Sequence, residues 1–176
     1  MYYDEKIKAL EKSDDYNELM EALIGKNADL SRTAAICLIR KGQASIEHLK
    51  KELRNPNWSI HTTVSLILSK IGKPSIDCLV SASKDPEWYV RAAAAEALGE
   101  IVDIKSCNTL IELLKDEDLY VRVSAARALD MLGINLIYSE EYIEDCPDIG
   151  SIIDSYKNSE TDIYIRHCYG LDKSKK

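Results

Sequence analysis

Apolar residues recur along this chain at the three- and four-residue spacing that places them on one face of a helix. In residues 88–101 the apolar positions are Val90, Ala94, Ala97, Leu98 and Ile101. A second apolar segment, residues 105–115, follows a short break at Val102 and Asp103. The pattern therefore predicts a unit of two amphipathic helices joined by a tight turn.

This two-helix unit recurs with a period of 30 or 31 residues. Residues 85–91 read Asp-Pro-Glu-Trp-Tyr-Val-Arg, residues 116–122 read Asp-Glu-Asp-Leu-Tyr-Val-Arg, and residues 55–60 read Asn-Pro-Asn-Trp-Ser-Ile. Self-similarity at such a period predicts a repeat architecture. Four columns of apolar residues keep register through the copies: Leu30, Ile60, Val90 and Val121; Ala34, Val64, Ala94 and Ala125; Leu38, Leu68, Leu98 and Leu129; and Leu19, Leu49, Leu79 and Leu110.

The breaks inside and between the units carry residues that favour turns. Three units place glycine in the same slot between their two helices: Gly42, Gly72 and Gly133. Glycine suits the left-handed residue that often follows a helix C-terminus, although Val102 holds this slot in one copy. Between units, Asn55-Pro56 and Asp85-Pro86 predict an N-cap followed by proline at the first helical position.

These patterns together predict an all-α fold, a right-handed α-solenoid in a single domain over residues 1–176. A single helix pair cannot bury its own apolar face, so neighbouring pairs must stack. About five two-helix repeats are predicted, at residues 2–25, 29–54, 57–84, 88–115 and 119–158. An irregular C-terminal insertion at residues 134–148 interrupts the fifth repeat, and residues 162–171 are predicted to form a terminal capping helix.

The stretch from Asp85 to Gly133 resembles the short HEAT-like repeats first described in phycobilisome lyases. It carries Asp-Pro-Glu-Trp-Tyr-Val-Arg, an alanine-rich helix, Ala-Leu-Gly and then Leu-Ile-Glu-Leu-Leu-Lys-Asp. The resemblance covers about residues 15–133 and implies that first helices line the convex side and second helices the concave side. Repeats of this kind serve scaffolds, adaptors, bilin lyases and DNA-repair glycosylases, so the resemblance favours a fold and not one function.

The same resemblance implies a structural role for a repeated arginine. Arg91 and Arg122 hold equivalent positions near the start of a first helix, where related repeats pair the arginine with an aspartate of an adjacent unit. The candidate partners are Asp85, Asp116 and Asp118. Since His61 and Ser31 hold the slot in earlier units, the ladder is expected to be incomplete towards the N-terminus.

Composition and net charge limit the classes of partner that are expected. The chain is 45% apolar and 30% charged, which is typical of a globular protein, and its formal net charge of −7 disfavours nucleic-acid binding, because that depends on Lys and Arg. Five cysteines without paired spacing suit thiols in a reducing cytoplasm. The sequence shows neither a signal peptide nor a long apolar run, so no membrane partner is expected and a cytoplasmic location is predicted.

Two aromatic positions are candidates for contact with a partner. Trp58 and Trp88 are equivalent residues at successive turns between repeats, and Trp is enriched at binding hot spots. Alternatively, each indole covers the helix below it.

The insertion at residues 134–148 is the second candidate, with five carboxylates and no basic residue. Insertions in repeat proteins often lie on a binding face, and a mixture of acids and aromatics could grip a basic or apolar surface. Alternatively, the segment caps the last helices against water. The residues assigned to partner binding are Tyr138, Glu140, Glu141, Tyr142 and Glu144.

The sequence carries no motif for a metal, a cofactor or catalysis. His48, His61 and His167 lack ligand spacing to each other or to the cysteines. The leading hypothesis is therefore a non-enzymatic scaffold or adaptor that binds another protein, with self-association possible. A second hypothesis is an enzyme related to bilin lyases, for which the thiol of Cys78 on the concave face is the residue of interest. A third, disfavoured by charge, is a nucleic-acid-binding protein.

Overall fold

A computed structural model of the chain describes the backbone of residues 2–137 and the side chains of residues 5–103 and 105–132. All regular structure within residues 2–137 is helical, which confirms the all-α prediction. The helices are α1 (Tyr2–Lys12), α2 (Tyr16–Ile24), α3 (Ala28–Lys41), α4 (Ile46–Glu52), α5 (Trp58–Ile71), α6 (Ile76–Ala82), α7 (Trp88–Ile101), α8 (Cys107–Leu113) and α9 (Leu119–Ile137).

Long and short helices alternate from α3 onward, as the two-helix unit predicts. Helix α7 begins and ends where the apolar pattern places it. Helix α8 is shorter than the predicted 105–115, because Ile104–Ser106 forms a 3-10 turn before it. The buried side chains account for the register. Every member of three of the four predicted columns is buried, including Leu38, Leu68, Leu98 and Leu129. In the column that begins at Leu30, Val90 and Val121 are buried, and Leu30 and Ile60 are half-buried.

The turns between repeats differ from the sequence prediction in one respect. Asn55 and Asp85 were expected to cap the next helix, but α5 and α7 begin at Trp58 and Trp88, after N-cap residues two positions further on. The side chain of Asn55 instead accepts from its own i+2 amide at 3.0 Å, and Asp85 does the same at 3.0 Å. Short polar side chains commonly stabilise turns in this way, so the prediction of N-caps at these positions was wrong.

The slot between the two helices of a unit requires a positive φ. Gly42 has φ +58° and Gly72 has φ +81°, in regions that favour glycine. Val102 adopts φ 53° and ψ 61°, the left-handed helical region, which a β-branched residue rarely occupies. The fourth repeat (88–115) thus replaces a single glycine with Val102 and Asp103 and is one residue longer at this break.

A serine follows the break between the two helices in three successive repeats. The Oγ of Ser45 donates to the carbonyl of Leu38 at 2.8 Å, and Ser75 donates to the carbonyl of Leu68 at 2.8 Å. Ser106 holds the equivalent place in the longer fourth repeat, and its buried Oγ has no hydrogen-bond partner among the described residues. The extra residue therefore alters the hydrogen bonding around the break while the helices on either side keep their register.

Helix α9 runs through Gly133 to Ile137, so the break that the glycine column predicts there is absent. Gly42 and Gly72 precede Gln-Ala-Ser and Lys-Pro-Ser turns, whereas Gly133 precedes an apolar Ile-Asn-Leu-Ile run that continues the helix. The insertion, expected to begin at residue 134, therefore starts with helical residues. The remainder of the predicted insertion and the capping helix at 162–171 lie outside the described residues.

The residue contacts divide the chain into two compact units, unit 1 (Met1–Cys78) and unit 2 (Leu79–Lys176). In unit 1, α3 packs against α1, α2 and α5, and α4 packs against α5. In unit 2, α9 packs against both α7 and α8. The single domain over residues 1–176 and the handedness of the stack stay predictions.

Small residues bring α7 and α9 of unit 2 close together. A Cβ placed on Gly99 would lie 2.6 Å from the Cβ of Ala128 and 2.7 Å from its Cα, so the two backbones meet without room for a side chain. The positions equivalent to Gly99 and Ala128 within unit 1 are Ile39 and Ile67. Close backbone approach is therefore a feature that the sequence supplies to unit 2. No helix within residues 2–137 combines the length and the apolar character needed to cross a membrane.

Candidate interaction surfaces

A buried ion pair links the layers of unit 2. The guanidinium of Arg91, in the first turn of α7, donates from Nε and Nη2 to the two carboxylate oxygens of Asp116, each at 2.8 Å. Its Nη1 donates to the carbonyls of Asp85 and Pro86, each at 2.9 Å. The Arg91 and Asp116 side chains are only 10% and 9% exposed. A bidentate pair of this kind fixes both distance and orientation.

The electrostatics of the pair follow from these contacts. Burial pushes the pKa of Asp116 upward, but hydrogen bonds from Arg91 and from the amide of Asp118 outweigh it, so the pKa lies below its usual range. The hydrogen bonds that Arg91 donates to Asp116 raise the pKa of Arg91, against the opposing effect of burial. Both groups are therefore charged at neutral pH, and each stabilises the other.

The remaining members of the predicted ladder act within their own turns. Arg122 donates from Nη1 to the carbonyls of Asp116 at 2.9 Å and Glu117 at 3.0 Å. Asp85 contacts Arg91 through its backbone carbonyl and uses its carboxylate on the turn amide. Asp118 caps α9 by accepting from the amide of Tyr120 at 2.8 Å. The link across layers is thus carried by Arg91 and Asp116.

In unit 1 the same slot holds side chains that contact backbone carbonyls. Nδ1 of His61 lies 3.1 Å from the carbonyl oxygen of Asn55, the place that Arg91 Nη1 takes one repeat later. The Oγ of Ser31 donates to the carbonyl of Leu23 at 2.8 Å. The incomplete ladder expected towards the N-terminus stays a prediction.

The two tryptophans lie in different surroundings. Trp58 in unit 1 is 69% exposed and stands between the neutral residues Asn57 and Ser59. Trp88 in unit 2 is 45% exposed and meets the ring of Tyr120 edge-on, with centroids 5.7 Å apart and planes inclined by 70°. Tyr120, itself 48% exposed, was absent from the sequence-predicted site, although its equivalence to Tyr89 marks an aromatic column along these turns. Trp88 and Tyr120 together are called the aromatic edge below.

The aromatic edge stands on turns that carry carboxylates. Glu87 precedes Trp88, and Glu117, whose side chain is 89% exposed, lies 3.6 Å from Nη2 of Arg91. The first turn of α7 thus holds Trp88 outside and Arg91 inside, and Arg91 ties that turn to the segment leading into Tyr120. The buried ion pair therefore positions the exposed rings. The other predicted contact residues (Tyr138, Glu140, Glu141, Tyr142 and Glu144) lie outside the described residues.

Unit 1 carries a second aromatic contact, on its short helices. The rings of Tyr16 and His48 stack with centroids 4.4 Å apart and planes inclined by 1°. Lys41 lies over Tyr16 at 5.4 Å from the ring centroid and donates to Asp14 at 2.6 Å. A shallow, open depression of about 390 Å³ lies on α2 beside this cluster. It is lined by Asn17, Met20, Glu21, Ile24 and Gly25.

The thiols lie inside the structure. Cys37, Cys78 and Cys107 are all buried, as predicted for helical apolar positions, and Cys146 and Cys168 lie outside the described residues. Burial raises the pKa of Cys78, which is 8% exposed, and so keeps the thiol protonated at neutral pH. A nucleophilic role for Cys78 is not favoured by this environment. Among the described residues, no group of three or more His, Cys, Asp and Glu could hold a metal ion.

Sequence reasoning missed two exposed aliphatic residues on the long helices of unit 1. Ile36 on α3 and Leu66 on α5 are 44% and 48% exposed, and they occupy the same position in successive repeats. In unit 2 this position is held by Glu96 and Arg127, which are also exposed. Comparing the same outward position across the repeats shows this contrast in the sequence: it is aliphatic in unit 1 and charged in unit 2.

The chain was compared with known proteins. A family model described as HEAT repeats matches residues 16–99 and 76–144. The complex of CpcE and CpcF of phycocyanin lyase from Nostoc sp. PCC7120 is similar at 20% identity and a TM-score of 0.61, covering 89% of this chain and 98% of that one. An engineered protein is similar at 19% identity and a TM-score of 0.49, covering 94% and 81%.

The search of curated proteins gave no match. The likeness to the lyase structure extends the HEAT-like fold over most of the chain, in agreement with the resemblance seen in the sequence. The family match covers the register from α2 to α9 and therefore carries the assignment. This chain belongs to the HEAT-repeat family.

Proposed function

We propose that this chain is a non-enzymatic protein–protein interaction scaffold or adaptor, which binds another protein through its helical-repeat surface. The observation that carries the proposal is the aromatic edge of unit 2. There the rings of Trp88 and Tyr120 contact each other, and nearly half of each residue's surface stays exposed to solvent. Large aromatic residues bury much area on binding while losing little side-chain freedom.

The buried ion pair supports this role because it keeps the aromatic edge rigid. Arg91 holds the turn before Trp88 through two carbonyls and holds the turn before Tyr120 through Asp116. A surface that is already ordered loses little conformational entropy when a partner binds. Carboxylates at Glu87 and Glu117 flank the rings and favour a partner with basic residues at the rim of the contact.

The similar lyase structure supports a protein partner. That structure is a complex of CpcE and CpcF, so a repeat array of this fold takes part in an assembly there. For this chain we infer a partner protein or a second copy of itself. The cytoplasm, where thiols stay reduced, is the predicted location.

The test is affinity capture of the tagged chain from its own cell lysate after nuclease treatment, quantified by mass spectrometry. A stoichiometric protein partner is expected, and the Trp88→Ala/Tyr120→Ala double variant should lower its recovery at least about tenfold. Trp58→Ala tests the other predicted contact residue, an exposed indole of unit 1 that is not part of the aromatic edge. Recovery unchanged by the double variant, or capture of the bait alone, would contradict the proposal.

The insertion at residues 134–148 remains a proposed second contact. Deletion of residues 136–146 should lower partner recovery while the helical circular dichroism signal of the array is retained. Unchanged recovery would remove the insertion from the binding surface and leave its capping role.

A subunit of a bilin-lyase-like enzyme is the second candidate function, motivated by the similar CpcE and CpcF complex. The buried, protonated Cys78 makes covalent attachment through this thiol a poor explanation of such an activity. Absorbance spectra of the chain after incubation with a bilin, and after gel filtration, test this candidate. A retained bilin spectrum that survives Cys78→Ser would favour a lyase-type role without that thiol.

Nucleic-acid binding is the least supported alternative because the formal net charge is −7. Tight, salt-dependent retardation of DNA or RNA in a gel-shift assay would overturn this ranking.

A further inference from the structure

Two adjacent long helices of unit 1 expose large aliphatic side chains at the same position. Ile36 on α3 and Leu66 on α5 are 44% and 48% exposed, and α3 packs directly against α5. A single exposed aliphatic residue on a protein surface is ordinary. Two of them at the same register of neighbouring, packed helices are less ordinary, and this pair of exposed side chains (the aliphatic patch) is a candidate interaction site.

Basic residues flank this patch along the helix axes. Arg32 and Arg40 lie one turn before and one turn after Ile36, and Lys70 lies one turn after Leu66. Residues four apart share a helix face, so these exposed cations border the aliphatic pair. With Asp29 two turns before Ile36, three cations and one carboxylate leave a formal charge of +2 on a chain whose total is −7.

The corresponding face of unit 2 has the opposite character. Its exposed residues at the positions equivalent to Ile36, Arg40, Leu66 and Lys70 are Glu96, Glu100, Arg127 and Met131. Two carboxylates and one cation give these positions a formal charge of −1. The positive charge of unit 1 is therefore local to α3 and α5 and is not a general property of the long helices.

We propose that this apolar–basic face (Arg32, Ile36, Arg40, Leu66 and Lys70) docks an acidic amphipathic helix of a partner protein. Leucine-like side chains spaced at i, i+3, i+4 and i+7 on the ligand cover Ile36 and Leu66. Its Asp and Glu residues meet the flanking cations, which sets the orientation and speeds association. The inference rests on the proposed function, since the occupant is a protein segment, but it concerns a surface separate from the aromatic edge.

A protein helix fits this face better than an anionic membrane. Electrostatic anchoring to lipid headgroups uses clusters of about four to eight Lys and Arg, and interfacial insertion needs a long apolar face. This face offers three cations and two aliphatic side chains. Such a patch matches two turns of one amphipathic helix.

The test uses the full-length chain and two fluorescent peptides of about 18 residues, long enough to form a helix. Both carry Leu at i, i+3, i+4 and i+7, with Glu elsewhere in one peptide and Lys elsewhere in the other. Fluorescence anisotropy should show the Glu peptide binding at least about tenfold tighter than the Lys peptide, with affinity falling as salt rises.

The variants locate the site. Leu66→Glu should weaken binding of the Glu peptide at least about tenfold. Met131→Glu is the matched control, since it also places a carboxylate at an exposed apolar position of a long helix, 40% exposed in the wild type, but in unit 2. The Arg32→Glu/Arg40→Glu variant should prefer the Lys peptide while its circular dichroism spectrum and unfolding transition match those of the wild type, which separates the reversal from loss of folding.

Several results would overturn the proposal. These are equal affinity for the two peptides, equal weakening by Met131→Glu, or Leu66-dependent binding to phosphatidylserine vesicles with no binding of the Glu peptide. Leu66-dependent dimerisation in sedimentation, again without peptide binding, would assign the face to a second copy. The Trp88→Ala/Tyr120→Ala variant should keep the peptide affinity of the wild type, so this proposal and the proposed function can fail independently.

Discussion

Units 1 and 2 share a repeat register but hold their layers together by different means. In unit 2, a bidentate ion pair between Arg91 and Asp116 and the close approach of Gly99 to Ala128 fix the long helices. In unit 1, Ser31 and His61 take the equivalent polar slot and contact backbone carbonyls. One repeat pattern thus accommodates an ion pair in one unit and contacts with the backbone in the other, and the buried leucine columns are common to both units.

The outward faces differ as well. Unit 1 presents Ile36 and Leu66 among cations, whereas unit 2 presents carboxylates there and its aromatic edge at the turns. Residues of the buried columns are constrained by packing, but outward positions are free to vary between repeats. Differences between the units at these positions therefore report on binding more directly than the shared core does.

The largest effect is expected from Asp116→Ala. The substitution leaves the largely buried guanidinium of Arg91 without its carboxylate partner, and such a loss costs about 3 kcal/mol. Urea unfolding followed by circular dichroism measures it, and hydrogen exchange should place the lost protection in α7 and α9. The unit 1 counterpart, Ser31→Ala, removes one neutral hydrogen bond and should cost about 1 kcal/mol. Equal losses of unfolding free energy in the two variants would contradict this difference between unit 1 and unit 2.

Gly99→Ala should have the next largest effect, a destabilisation of about 2 kcal/mol. The added methyl group meets the backbone and Cβ of Ala128, so the two helices must separate. Ser69→Ala is the comparison at the equivalent slot of α5, which already carries a Cβ, so the change adds no atom and should cost only about 1 kcal/mol, from the loss of its hydrogen bond to the carbonyl of Leu66. Thermal unfolding of both variants decides the matter, and a neutral Gly99→Ala would show that α7 and α9 can move apart freely.

Acid should weaken the ion pair between Arg91 and Asp116 in unit 2. The pKa of Asp116 is lowered in the folded chain, so its contribution to stability is complete above its unfolded pKa of about 4 and is lost as pH falls through the folded value. The stability difference between wild type and Asp116→Asn should therefore be largest at neutral pH and shrink below about pH 4. Urea unfolding at a series of pH values tests this. A difference that stays constant with pH would mean that the charge of Asp116 contributes nothing.

The smallest effect is expected from Asp14→Ala in unit 1. Lys41 lowers the pKa of Asp14 through a 2.6 Å hydrogen bond, but the carboxylate is 98% exposed and water screens the pair. Unfolding at physiological salt should not distinguish this variant from the wild type. A clear loss of stability would show that the ion pair also supports the stacked rings of Tyr16 and His48.

The fold could be predicted from the sequence because buried residues recur at the same positions of successive repeats. Columns such as Leu38, Leu68, Leu98 and Leu129 are fully buried, and their spacing placed the helices to within a few residues. Local exceptions were harder to predict. Gly133 matches the glycine column, yet the apolar residues after it continue α9, since a glycine slot breaks a helix only where the next residues also favour a turn.

The candidate surfaces were predictable only in part. Trp88 was identified from its equivalence to Trp58, but its contact with Tyr120 depends on how closely two turns approach, which periodicity does not specify. Ile36 and Leu66 follow the helical spacing of exposed positions, and their hydrophobicity alone gives no sign of exposure. The choice of Asp116 as the partner of Arg91, with Asp85 contributing a carbonyl, likewise required coordinates.

The break at Val102 and Asp103 has a consequence for engineering the chain. The fourth repeat (88–115) is one residue longer there, yet Leu98 before it and Leu110 after it stay fully buried in their columns. Asp103 accepts from the amide of Lys105 at 3.0 Å and so holds the turn that follows. The turn inside a repeat therefore takes one extra residue without moving the buried leucines on either side, which makes its length a variable that protein design can change.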